Sequence, residues 1–500
     1  MELEVTDYTI ELWDWHTKTY VADITGISHN LQMSWTLNDI EELSFDVDLV
    51  QFEKRCTQMG TTPDQVMKPY VHDVRVRRNG EYILGCQVVE TNIQIDNEQP
   101  PKIQVRCTGF LNLFKDAYIS MPWANYSYAN MARNLVAWAQ QPDCVVKNPT
   151  IDIDSSYWVS VSGAVARVTS GQRSGAGCLQ ATRSGTGWNT IGTRLFVGSG
   201  VSISLDIWVK GQSGVAIAFH ERELLNKSSN QHAIGSVTPS AHNTWTHFTA
   251  TTTTSFNKGY LIIEQNRTNA SYNLGVDDCL VFYANDTAAL NDMGVTMGTN
   301  TTTGQSNYAM NYELQNVKDA LIELTQMETN NFDFEFTPDR TFNVMDRRGT
   351  DKVEIEAVYP GNIHSMTIDR SAANMANKIY NFGSGIGDER IEYLAMDTTS
   401  RQTYGTREAT LVNSNVERMD TLKAQANGEL ALKKDVTNLP KVVIRDGSIN
   451  PGNTQIGDGI IVRVENDNYL GTVNGLYRII KYDVAVDDNN VEQVTLTLEA

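Results

Sequence analysis

The chain opens in alternation. Tyr8-Thr9-Ile10-Glu11-Leu12-Trp13-Asp14 and Leu43-Ser44-Phe45-Asp46-Val47-Asp48-Leu49 carry an apolar residue at every second position, the period of a strand with one buried face. Two further runs, 71–78 and 81–86, flank Asn79-Gly80; both residues tolerate positive φ, so the dipeptide predicts a tight hairpin. With Lys102 to Phe110 this makes about five antiparallel strands in a small barrel or sandwich. The period then changes. Ser127 is placed to cap a helix whose Tyr128, Met131, Ala132, Leu135, Val136 and Ala139 share one face, with Pro142 just beyond it.

Near Asn148 the composition shifts to Ser, Thr, Gly and Asn, and it shifts back near Asn285. Strands are expected at 164–169, 192–197, 201–209, 215–219, 245–251, 260–264 and 275–282, with turn residues between them at irregular short spacing, as in an all-β sandwich. Such a block reads as a domain inserted at an exposed loop of another. Beyond it Asn316 caps a second expected helix, with Val317, Ala320, Leu321, Leu324 and Met327 as its stripe. Phe332 to Phe336 and Thr341 to Met345 bracket Pro338-Asp339 as strand, turn and strand. A third helix is expected over about 416–434, and the chain closes on strands 442–445, 460–464, 475–480 and 494–498. The helix face of Leu422, Ala426 and Leu430 fits a domain core better than a trimer contact.

Length and charge narrow the function. A chain of 500 residues holds about three or four domains. A net charge of -20 repels phosphates and argues against non-specific nucleic-acid binding and anionic membranes. Residues 1–7 have neither the basic nor the apolar segment of a secretion signal, and no apolar run reaches membrane-spanning length. Cys56, Cys86, Cys107, Cys144, Cys178 and Cys279 form no CxxC pair. They are expected as buried reduced thiols of a protein folded in a cytoplasm, with a Cys178–Cys279 bridge left open. Gly383-x-Gly385-x-Gly387 lacks dinucleotide-site spacing and is expected as a loop. No HExxH or GxSxG is present.

The ordered succession of weak motifs in the flanks resembles the tail hub proteins of siphophages. Phe336-x-x-Asp339-Arg340-x-Phe342-x-Val344-x-Asp346-Arg347-x-Gly349 is one such motif, and Ile368-Asp369-Arg370-Ser371 leading to Ala376-Asn377-x-Ile379 is another. Tyr404-Gly405-x-Arg407-Glu408, Gly457-Asp458, Tyr477-Arg478-Ile479 and Leu496-Thr497-Leu498 continue the order, and the alternating start fits the same family. The insert resembles jelly-roll carbohydrate-binding modules through Gly175-x-Gly177-Cys178-Leu179-Gln180-Ala181, Trp188, the run 202–210, Thr244-Trp245-x-x-Phe248, Leu261 to Glu264 and Gly275 to Leu280.

These resemblances imply a mainly β protein with some α. Two tube-forming, β-barrel-like domains (1–120 and 358–500) and a small α+β domain (121–147 with 287–357) are interrupted by a β-sandwich jelly roll (148–286). They imply a structural, non-enzymatic hub at the baseplate or tail tip of a virion assembled in the host cytoplasm. Its homotrimer would join a sixfold tail tube to a threefold tip, since two similar domains in three chains present six surfaces. Tail-tube, distal-tail, tip or fibre proteins would be its neighbours, and the genome would pass through the channel without sequence-specific contact. The insert would touch host cell-wall polysaccharide. The alternative is a virion-associated or secreted glycan-degrading enzyme with an appended binding module.

The module resemblance also implies the site residues: Trp188 as the aromatic, His220 on a facing strand where those modules usually carry an aromatic, and Glu264 as the acid, with Gln265 and Asn266 beside it. An exposed aromatic with planar hydrogen-bonding groups suits a sugar. Trp208 and Trp245 are expected as strand-core packing. No cofactor or metal site is expected; an acid at Asp277-Asp278 implies at most a structural calcium, and two adjacent strand residues face opposite ways, so only one of them would ligate.

Overall fold

The computed structural model describes residues 7–140, 146, 151, 158–174, 177–195, 197–225, 230–257, 259–284, 293–327, 332–414, 416–445, 447–464, 474–487 and 491–499. Cys144, Gly175 and the composition boundaries at Asn148 and Asn285 lie outside them. The chain is mainly β with some α, and among the described residues no sheet closes on itself. It forms two compact units, one of residues 1–135 with 294–500, the other of residues 136–293.

In the first unit the strands before and after the insert join in one sheet. Its path runs from Tyr20–Asp23 through Tyr8–Asp14, His72–Arg78, Glu81–Gln94, Lys102–Gly109, Glu42–Asp48 and Ser28–Thr36. It continues directly into Asn474–Val486, Glu492–Glu499, Thr437–Ile444 and Ile363–Ser371. The seam pairs Leu31 with Val486, Met33 with Val484 and Trp35 with Tyr482. Alternation sends Leu43, Phe45 and Val47 to one face together with Tyr482, Val484, Leu496 and Leu498, and a single hydrophobic core holds residues from both flanks. Asn79 and Gly80 take φ of 49° and 87°, the double positive turn that the dipeptide predicts.

A buried ion pair adds a second tie. Arg340, at φ 65° in the turn before strand Thr341–Met345, donates through Nε to Asp73 Oδ2 at 2.9 Å, and both side chains are 1 % exposed. Asp73 belongs to strand His72–Arg78 of the opening flank.

The expected helices form at Tyr128–Ala139, Val317–Thr325 and Met419–Lys433. Ser127 Oγ accepts from Asn130 N at 3.3 Å, and Asn316 Oδ1 from Asp319 N at 3.2 Å. Leu422 and Ala426 are fully buried, and their helix lies on strands Lys378–Phe382 and Glu392–Met396. An unexpected helix, Leu49–Gln58, starts where the alternating run ends. Asp48 accepts from Gln51 N at 3.0 Å, and Leu49, Phe52 and Cys56 form its buried stripe. Gly385 sits in a loop at positive φ, as expected, whereas Gly387, also at positive φ, opens a short 3-10 helix, Gly387–Glu389.

The second unit is a sandwich of two five-stranded antiparallel sheets. One orders Ala164–Val168, Cys178–Thr182, Leu274–Tyr283, Ser202–Lys210 and Thr246–Thr253; the other orders Gln231–Val237, Ile217–Arg222, Tyr260–Arg267, Gly187–Arg194 and Trp158–Ser162. Ile191, Ile207, Phe219, Leu261, Ile263 and Val276 fill the space between them. Cys178 and Cys279 are buried with no disulfide between them, and Cys56, Cys86 and Cys107 are likewise buried thiols. No helix among the described residues is long and apolar enough to cross a membrane.

Candidate functional site

Strand alternation builds the site on the outer face of the second sandwich sheet. Leu261, Ile263 and Gln265 point into the sandwich, which leaves Ile262, Glu264 and Asn266 outward on the central strand. Register places Trp188 beside Asn266 and Thr190 beside Glu264 on one side. On the other it places Ala218 beside Glu264 and His220 beside Ile262.

The turn that delivers Trp188 is fixed from below. Gly185 and Gly187 adopt φ of 82° and 116°. The fully buried Arg267 donates to Arg183 O at 2.7 Å and Gly185 O at 2.9 Å. Ser162 Oγ and Arg183 Nη1 donate to Trp188 O at 2.6 and 3.0 Å. The backbone is therefore held while the residue stays 48 % exposed.

Glu264 is held differently. Arg222 Nη2 donates to its two oxygens at 2.8 and 2.9 Å, and His220 Nε2 lies 3.3 Å from Oε1. Arg222 Nε in turn donates to Gln231 Oε1 at 3.0 Å. Burial alone would raise the Glu264 pKa, but hydrogen bonds from His220 and the charge of Arg222 outweigh it and hold the carboxyl below its ordinary value. Glu264 is thus a carboxylate held in place by its neighbours. His220 Nδ1 is buried with no hydrogen-bond partner.

Of the five residues implied by resemblance, Trp188, His220, Glu264 and Asn266 share this face. Gln265 does not. The strand period turns it inward, where it is fully buried; its Oε1 accepts from Gln212 N at 2.9 Å and its Nε2 donates to Gln212 O and Val215 O. It braces a loop. Arg222 was missed, although its position two residues after His220 puts it on the same face.

The other sheet corrects two expectations. Trp208 and Trp245 are not in the core. Both are half-buried, with the Arg173 guanidinium 3.9 Å from the Trp208 ring centroid and Lys210 Nζ 4.4 Å from that of Trp245. Asp277 and Asp278 do not face apart either, because Asp278 takes φ 44°. Asp277 Oδ2 accepts from Arg173 N at 2.8 Å and Ser174 N at 3.3 Å, while Asp278 meets the Arg173 side chain and Ser174 Oγ. Burial pushes the Asp277 carboxyl up to about 6, further raised by Asp278. These oxygens are engaged by protein donors, and the described residues hold no cluster of three or more His, Cys, Asp or Glu placed for a metal.

A second surface lies on the polar face of the large sheet, where a trough of about 710 Å³ crosses the seam between the flanks. Its cations are neutralised in place: Arg106 pairs with Glu42 at 3.4 Å and Lys481 with Asp483 at 3.4 Å, and Lys102 nearby pairs with Asp46 at 2.8 Å. Gln32, Asn92, Gln104 and Gln493 supply neutral amides, and Glu90 adds a carboxylate.

Against known proteins, the chain is similar to a tail protein from Neisseria meningitidis MC58, at 10 % identity and TM-score 0.46, covering 99 % of this chain and 96 % of that one. It is similar to the 43 kDa tail protein of prophage MuSo2 from Shewanella oneidensis, at 9 % identity and TM-score 0.46, covering 98 % and 97 %. Part of it is similar to the CBM22-1 xylan-binding domain of Xyn10C from Paenibacillus barcinonensis, at 14 % identity and TM-score 0.24, covering 30 % of this chain and 99 % of that domain. No family model and no curated protein matches.

Proposed function

We propose that this chain is a structural hub protein of a bacteriophage tail, three copies of which close into a ring around the genome's path. The observation that carries the proposal is the open sheet shared by both flanks, with the short strand Tyr20–Asp23 at one edge and Ile363–Ser371 at the other. Edge strands offer backbone groups for pairing with another chain, and a head-to-tail contact between copies closes when the rotation fits. In that ring the trough face lines the channel. Each of its cations has a carboxylate partner, so DNA phosphates find little to hold them. Tube and tip proteins stack on the two ends of the ring at the tail tip.

In the same proposal the sandwich presents Trp188, Asn266 and the Arg222–Glu264–His220 network to host cell-wall polysaccharide. The indole stacks on a sugar's apolar face, and the fixed carboxylate and amide meet its hydroxyls. Electron microscopy and light scattering of the purified full chain test the ring: threefold particles are expected, and a monomer at every concentration up to about 100 μM, where weak oligomers form, refutes it. A reducing-sugar assay on host wall polymer tests for hydrolysis, and none is expected.

A further inference from the structure

One buried carboxylate in the first unit has no side-chain counter-ion in contact with it among the described residues. Glu41 is 6 % exposed, yet among the described residues no side chain forms an ion pair with its carboxylate, which takes a hydrogen bond from its own backbone. It lies over Gly109, where any Cβ would collide with it, and Gly109 N donates to Glu41 O at 2.7 Å. The chain has therefore left room for a buried charge without a counter-ion in contact, an arrangement that costs stability.

Glu41 lines a cavity of about 510 Å³ whose walls include Trp35, Tyr82, Phe336 and Tyr482. The charged groups around it are otherwise spoken for. Arg348 Nε lies 3.3 Å from Glu335 Oε2, and Arg78 is bidentate on Glu492 at 2.7 and 3.2 Å. Arg348, Glu335 and Asp39 all act on Glu41 through space, and burial outweighs them, pushing its carboxyl up to about 7. Glu81 adds a further carboxylate at the exposed edge. The surplus charge of the cavity is negative, and aromatic rings form part of its wall.

We propose that this cavity binds an organic monocation, a guanidinium or ammonium group on a short apolar stem, with Glu41 as counter-ion. A metal ion fits poorly, because the described residues provide no set of three or more acidic, His or Cys groups there. Aromatic rings beside a carboxylate that has no counter-ion in contact suit an organic cation. The source is either a free small molecule or a basic side chain of a neighbouring protein; both present the same head group.

The test is calorimetric titration of the full-length protein with n-butylguanidinium chloride at pH 8.0. Its neutral isostere n-butylurea and an Arg-containing tetrapeptide serve as parallel titrants. Saturable 1:1 binding of the guanidinium is expected, at least tenfold tighter than that of the urea, and weakened at least tenfold by Glu41→Gln or at pH 5.5. Tetrapeptide binding at equal or greater strength assigns the site to a protein partner, and weaker binding assigns it to a free cation. Equal affinity for urea and guanidinium, or no saturable guanidinium binding to the wild type, overturns the proposal; neither result depends on whether the variant folds.

Discussion

Arg340→Met removes the buried guanidinium that links the segment after the insert to the opening flank, and the structure sets how much that should cost. Both partners are 1 % exposed, so solvent screening gives little relief. The variant leaves Asp73 buried with Oδ1 already lacking a partner, and breaking such a pair from one side costs about 3–5 kcal/mol. That is a large part of a typical domain stability of about 5–15 kcal/mol. Asp73→Leu/Arg340→Met removes both charges and should recover most of the loss. The sign with pH follows from Asp73, whose pKa burial raises despite the pull of Arg340. Without the arginine it rises further, so protonation relieves the variant's deficit as pH falls, and the deficit is smaller at pH 5 than at pH 8. Urea denaturation gives the energies, and hydrogen exchange read by mass spectrometry gives their distribution. If the flanks are one body, protection falls together in strands Ser28–Thr36 and Asn474–Val486. A deficit below about 1 kcal/mol, the level of an exposed pair, or faster exchange on only one side of the seam, refutes the reasoning.

Glu41→Gln should stabilise the protein at pH 8 relative to pH 4. The folded pKa of about 7 against 4.5 means that the wild type loses stability as pH rises through that window, by on the order of 3 kcal/mol; parallel melts at both pH values measure it. Trp188→Ala should abolish retention on host cell-wall polysaccharide in a pull-down while leaving the circular dichroism spectrum and melting point unchanged, because the side chain is half exposed. Glu264→Ala leaves the buried Arg222 without its counter-ion and should cost the sandwich on the order of 3 kcal/mol, which separates its structural role from that of Trp188 by melting temperature. Asp48→Ala should cost about 1 kcal/mol through loss of the cap, measured by urea midpoint.

Local pattern carried much of the fold. The period of two in Leu43 to Asp48, the Asn79-Gly80 turn and the Ser127 and Asn316 caps all act within a few residues, and each forms as its pattern requires. Helix Leu49–Gln58 escaped because Leu49 completes an alternating run and also opens a helical stripe with Phe52 and Cys56. Only the cap chemistry of Asp48 distinguishes the two. In the site, resemblance supplied Trp188, His220, Glu264 and Asn266, and period two alone would have removed Gln265 and added Arg222. The aromatic rings of Trp208 and Trp245 misled because an apolar residue beside a strand does not by itself say which face it takes; Arg173 and Lys210 cover them from outside.

The joining of the flanks had no such local mark. Leu31 meets Val486 across a register that nothing near either residue encodes, and Arg340 finds Asp73 from the far side of the inserted domain. Yet one of the motifs that carried the resemblance, Asp339-Arg340-x-Phe342-x-Val344, contains the residues of that closure. Arg340 supplies the buried ion pair, and Phe342 and Val344 are fully buried. A weak motif of this kind is then the local trace of a long-range constraint. A chain interrupted by an independently cored sandwich must still bring its two halves together, and a buried ion pair across the halves favours the correct alignment over slipped ones.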